Sequence, residues 1–176
     1  DLMMDDIGGF YAILAELRSD FNNYLMNHPG APVATVDDII KSDLLKDEEL
    51  RNNFKTASAV MPGATLEYLS LQEKRERIKQ AVLVAMAKAK VDALIYPTIR
   101  RKPVRIGEVQ HGTNCHLSGN INFPAISIPA GFTKDGLPVG VEIMARAWQE
   151  GLLIQLAYAY EQATKHRRLP DTTPAL

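Results

Sequence analysis

Cysteine occurs once in the 176 residues. A lone thiol excludes an internal disulfide, so redox chemistry gives no compartment and the localisation stays open. Charge of neither sign dominates: 20 Lys and Arg face 21 Asp and Glu, for a net −1. A nucleic-acid-binding domain usually carries a basic excess, so no nucleic-acid partner is expected. No apolar run approaches the roughly 18 residues of a membrane-spanning helix, and the opening Asp1-Leu2-Met3-Met4-Asp5-Asp6 lacks a basic segment followed by an apolar one. Neither a membrane partner nor a targeting signal is expected. Repeats and low-complexity tracts are lacking, and so is a methionine at residue 1, which leads us to expect a fragment, a processed chain or a trimmed one.

What is present is a 46% hydrophobic content, enough for a real core. The chain is organised around residues 117–146, LSGNINFPAISIPAGFTKDGLPVGVEIMAR. Two short apolar runs, 125–128 and 139–145, lie among prolines and glycines and predict a strand-turn-strand unit. Because proline cannot donate to a sheet ladder, Pro124 and Pro129 are expected to bound the first strand. Lys134-Asp135-Gly136 supplies the turn chemistry.

Upstream, Phe10, Leu14, Leu17, Phe21 and Leu25 recur at helical spacing and predict an amphipathic helix ending near Asn27, before Pro29. Thr35 is placed to cap a short helix with Asp37 and Asp38 in its first turn, and Asp47 to start another through Phe54 and Ala57. Both are too short to stand alone. Met61-Pro62-Gly63 breaks the pattern, and Thr65 opens a long helix to Lys90. Its first half, with QEKRERIK, reads as solvated, and its second, AVLVAMAKAK, as buried in a core. Residues 91–96 read as a buried strand ending at Pro97, and Leu152, Leu153, Leu156, Ala157 and Tyr160 as the stripe of a final helix. Lys165 to Arg168 form its basic end, Pro170 lies just beyond, and the tail is expected to fray. The sum is an α/β chain and an incomplete single domain, helical over 1–90 and strand-bearing over 91–176.

Chemistry is sought first in the polar loop 98–119, which leaves a strand end where α/β sheets tend to bind ligands. His111, Cys115 and His116 invite a metal, but a structural zinc needs four ligands, and His28 and His166 are remote with no second cysteine. Cys115 beside His116 could be a nucleophile, although neighbours in an extended loop usually point apart. Ser127 lacks a G-x-S-x-G elbow. Arg100, Arg101, Lys102 and Arg105 could hold a carboxylate, but Pro103 and Val104 interrupt them, and a mobile, solvated basic loop is the reading expected over a dedicated anion site. No self-contained active site is visible.

Tyr96-Pro97-Thr98, Asn122-Phe123-Pro124-Ala125, Pro129-Ala130-Gly131-Phe132, Gly136 to Gly140 and Ala157 to Glu161 together resemble the C-terminal end of amidase-signature enzymes. Asn122 stands where that family usually has glycine. It too can adopt positive φ, so the turn is expected to survive. The resemblance is specific over 91–170 and looser upstream, where the helices look like the insert of longer bacterial amidases. It implies part of a mixed sheet covered by helices and hydrolysis of carboxamide C–N bonds. It also implies catalysis by a Ser-Ser-Lys triad whose motifs precede this region, and none of Ser19, Ser42, Ser58, Ser70, Ser118 or Ser127 sits in a matching pattern. The expectation is therefore a chain with no catalytic residue and no cofactor, inactive alone, that supplies one wall of the pocket through Asn114, Cys115, His116 and Asn120. Its partners would be the missing N-terminal catalytic portion, a small-molecule amide in the complete enzyme and, through exposed apolar surface, a second copy in a homodimer. The alternatives are a noncatalytic interaction module with a partial amidase fold and part of an amidotransferase A-type subunit.

Overall fold

A computed structural model describes residues 9–42, 44–60, 65–108 and 110–169, with side chains from residue 14 onward. Phe10 as a core side chain, the Met61-Pro62-Gly63 break, Pro170 and the tail fall outside that description. The chain divides into two compact units, residues 1–76 and 77–176.

In the first unit, α1 (Gly9–Met26), α2 (Val36–Lys41) and α3 (Glu48–Ala59) follow the expected order. Leu14 and Leu25 of α1 are buried, and Phe21 meets Phe54 of α3 edge to face at 5.8 Å, a favourable arrangement for two ring quadrupoles. Thr35 does cap α2: its hydroxyl accepts from the Asp38 amide while the Asp38 carboxylate accepts from the Thr35 amide. Asp47 caps α3 through the Leu50 amide at 2.8 Å. Six residues cannot sustain a helix alone, and tertiary bonds hold α2 in place. Arg18 bonds Asp37 at 2.7 Å and the Ser58 carbonyl at 3.1 Å. Beyond the other end of α2, Arg51 donates to the carbonyls of Ile40 at 2.6 Å and Ser42 at 3.2 Å, and to that of Leu45.

α4 (Leu66–Ala89), opened by Thr65 as expected, carries the chain into the second unit. Its apolar half departs from expectation: Met86 is buried, as is Ile78 of the charged run before it, but Ala81, Val84, Ala85 and Ala87 are exposed. Among the described residues this apolar face has little cover.

The second unit is a three-stranded antiparallel sheet in the order β1-β3-β2, formed by β1 (Ala93–Pro97), β2 (Ala125–Phe132) and β3 (Pro138–Ala145). Side chains alternate across the central strand. Ile143 and Ala145 join Ile128 against Leu153 and Ala157 of α6 (Glu150–Thr164), while Glu142 and Met144 face the other way. Three expectations change here. Pro129 does not end β2, because the strand passes it through a bulge between Pro129 and Gly131, where Gly131 takes φ +116° at no steric cost. β1 is only half-buried, with Ile95 59% exposed. The basic run also lies past α6 instead of within its last turn, because Lys165 adopts the left-handed conformation and turns the chain out of the helix.

Two outcomes test these local devices. Arg51→Ala strips donors from three carbonyls and should cost about 1–3 kcal/mol in urea unfolding; an unchanged midpoint would remove Arg51 from the account of α2. In the β2–β3 turn, Lys102 and then Thr133 hold the Asp135 carboxyl down to about 2 from its ordinary 3.8. Because the folded value is the lower one, the turn's carboxylate bonds stabilise it above pH about 4 and are lost as pH falls through about 2. A carboxyl-carbon NMR titration of Asp135 with a midpoint near 4 would contradict this.

Candidate functional site

The last residues of β1 and the short helix α5 (Cys115–Ile121) are built against each other. Beyond Pro97 the chain departs through the 98–113 loop and returns alongside itself: the Arg100 amide bonds the Gly112 carbonyl at 2.8 Å, and Ile99 bridges Thr113. Asn114 closes the excursion, its amide donating to the Thr98 carbonyl at 3.0 Å and its side chain to the Pro97 carbonyl at 2.7 Å. The segment expected as an extended loop thus turns helical from Cys115. Asn122 ends α5 at φ 56°, the left-handed conformation its position requires.

α5 is fastened to the sheet by a buried polar cluster. On one rung Tyr96, Glu142 and Ser127 stand side by side across the three strands. The Glu142 carboxylate, 5% exposed, accepts from the Tyr96 hydroxyl at 2.5 Å and from the Ser118 hydroxyl at 3.1 Å, both on Oε1. Burial, and then the bond to Glu142, push the Tyr96 phenol far above its ordinary range, so it stays a proton donor throughout the working pH range. A carboxylate bound by two hydroxyl donors orders α5. Two residues along on the same face, Thr98 shares a hydrogen bond at 2.8 Å with Ser127 that passes over Gly140. A Cβ on Gly140 would lie 3.1 Å from the Thr98 hydroxyl and 3.3 Å from that of Ser127, so the glycine makes room for the pair.

The four pocket candidates fall along α5, Asn114, Cys115 and His116 at its start and Asn120 in its last turn, but not in one role. The Asn114 side chain is committed to Pro97, and that of Asn120 donates to the His116 carbonyl at 2.7 Å within α5 itself. Cys115 and His116 are exposed, with the Thr113 hydroxyl 3.1 Å from the Cys115 sulfur. Among the described residues no three of His, Cys, Asp and Glu converge as metal ligands, and no helix is long and apolar enough to cross a membrane. Sequence reasoning missed Tyr96, Ser118 and Glu142. The available signal was a glutamate set in an otherwise apolar strand, a position a carboxylate occupies only when it is bonded.

The family model described as Amidase matches residues 9–154. The chain belongs to the amidase family. It is 43% identical over 112 residues to the A-type subunit of the glutamyl-tRNA(Gln) amidotransferase of Gloeobacter violaceus, covering 58% of this chain and 22% of that protein. A probable amidase of Arabidopsis thaliana is 28% identical over 171 residues, covering 94% of this chain and 31% of that one. Among solved structures, the native peptide amidase of Stenotrophomonas maltophilia superposes with a TM-score of 0.78 at 29% identity, covering 93% of this chain and 35% of that one. The amidase chain in hand thus spans between about a fifth and about a third of the length of these relatives.

Tyr96→Phe tests the cluster in this amidase chain. It leaves the Glu142 carboxylate one donor short in a buried site and should cost about 1–3 kcal/mol in urea unfolding. A variant as stable as the parent would show that the carboxylate does not depend on the tyrosine.

Proposed function

We propose that this chain is the C-terminal part of an amidase that hydrolyses carboxamide C–N bonds, contributing sheet, helices and one wall of the substrate pocket but no member of the Ser-Ser-Lys triad. The observation that carries the reading is the family match over residues 9–154 in a chain that spans about a third of the length of its amidase relatives. Unsatisfied surface supports it: Ile95, Trp148, Ile154 and Tyr158 are 59%, 88%, 63% and 64% exposed, and among the described residues β1 and β2 each leave one edge unpaired. Apolar side chains and open strand edges of this kind are what a larger sheet would cover.

In that larger enzyme a serine supplied by the preceding portion attacks the carboxamide carbonyl, with proton transfer through serine and lysine and backbone N–H groups stabilising the oxyanion. Here the α5 region forms the wall. Cys115 and His116, exposed on its first turn, contact substrate, while Asn114 and Asn120 hold the turn in shape. Tyr96, Ser118 and Glu142 fix the wall against the sheet.

One observation favours a second reading, part of an amidotransferase A-type subunit: the 43% identity to a protein of that name. That likeness covers 58% of the chain, whereas the amidase likenesses cover 93% and 94%, a span that takes in helical residues of the first unit. The wider match supports the stand-alone amidase.

The test is hydrolysis of a peptide carboxamide, followed by ammonia release, with the 176-residue chain and with the longer protein carrying its preceding segment. The chain alone should release no ammonia and the longer protein should turn over. In the latter, Cys115→Ala should raise KM about 3- to 10-fold with kcat little changed, as expected for a residue that binds without reacting. Turnover by the chain alone, or none by the longer protein, would end this assignment.

A further inference from the structure

The second unit carries a groove that none of the four pocket candidates lines. It runs from the 98–103 loop across the bulged end of β2 to the segment after α6. Six basic side chains border it, namely Arg100, Arg101, Lys102, His166, Arg167 and Arg168, and among the described residues no aspartate or glutamate lines it. In a chain of net charge −1 this is a strong local departure.

Two features give the groove form. At one side Lys102 is tied to Asp135 of the β2–β3 turn at 2.6 Å, which anchors the first basic segment. At the other, the guanidinium carbon of Arg168 sits 3.8 Å from the ring centroid of Phe132, a cation–π contact that fixes the second. His166 comes within 3.8 Å of where a Gly131 Cβ would stand, so the bulge glycine lets this segment lie close to β2. Among the described residues Arg101 and Arg167 have no carboxylate partner and are exposed. Between the basic borders the lining is mostly apolar, with Ile99, Phe132, Leu137 and Val139 beside the hydroxyls of Thr98, Ser127 and Thr133.

We infer that this groove docks an acidic, extended polypeptide segment of a partner protein, with glutamate or aspartate side chains reaching the arginines and apolar side chains on the floor. The inference does not depend on the amidase reading. Guanidinium groups on two borders suit carboxylates spaced along a chain, each held by a planar pair of donors. At about 1130 Å3 the groove far exceeds what a single phosphate ion would fill. A single-stranded nucleic acid would need free aromatic faces on which to stack its bases, and the Phe132 ring is already covered by Arg168. The apolar floor matches alternating side chains of an extended peptide.

Fluorescence polarisation of the longer protein that carries these 176 residues, with a labelled peptide of alternating glutamate and leucine, tests this. Its glutamine counterpart, an unlabelled RNA oligonucleotide and inorganic phosphate serve as comparators. Saturable binding is expected that weakens with added salt and falls about tenfold or more in Arg101→Glu with Arg167→Glu, whose charges then repel the peptide. If that pair unfolds by circular dichroism, Arg101→Gln with Arg167→Gln should still weaken binding by about threefold or more. No saturable binding, equal binding of the glutamine peptide, displacement by RNA or phosphate at concentrations where free glutamate peptide does not compete, or folded variants with unchanged affinity would each overturn the proposal.

Discussion

One buried carboxylate sets the geometry of the second unit. Glu142 lies in the central strand, with β1 and β2 on either side, and faces away from the α6 core. A charge in that position must be bonded, and its partners come from two other elements: Tyr96 from β1 and Ser118 from α5. Because α5 is only seven residues long, it has no stability of its own, and the bond from Ser118, with the Asn114 clamp onto Pro97, decides where it sits. The placement of Cys115 and His116 follows from that.

The two faces of the sheet divide the labour. One is apolar and closes on α6 through Ile143, Ala145, Leu153 and Ala157. The other carries hydroxyls and a carboxylate in register, Tyr96, Ser127 and Glu142 on one rung and Thr98 opposite Gly140 two rungs on. A polar face of this kind orders loops that leave the strand ends, here the 98–113 excursion and α5. The first unit works by a different rule, with short helices kept by arginines that reach across to backbone carbonyls and carboxylates.

Much of this was legible in the sequence where local chemistry decides the outcome. Thr35 with Asp38, and Asp47, wrote their caps into the chain, and Asn122 adopted the positive φ that its place in the family motif demands. The α/β class and the amidase resemblance also stood. What escaped depended on tertiary company. Pro129 reads as a strand end, yet an edge strand with a bulge carries it through. Cys115 to Asn120 read as loop because no apolar period marks so short a helix, and the bonds that form it come from residues far along the chain. AVLVAMAKAK reads as core, yet most of its side chains are exposed among the described residues, because apolar composition does not say which element covers it. Glu142 was visible as a charge in an apolar run, but its partners were not.

The central proposal is that the residues here shape an amidase site without supplying its nucleophile. Labelling the longer protein with a fluorophosphonate that traps reactive serines, followed by peptide mapping, tests this most directly. The adduct should lie on a serine that precedes residue 1 of this chain. An adduct on Ser118, Ser127 or any other serine within the 176 residues would contradict the claim.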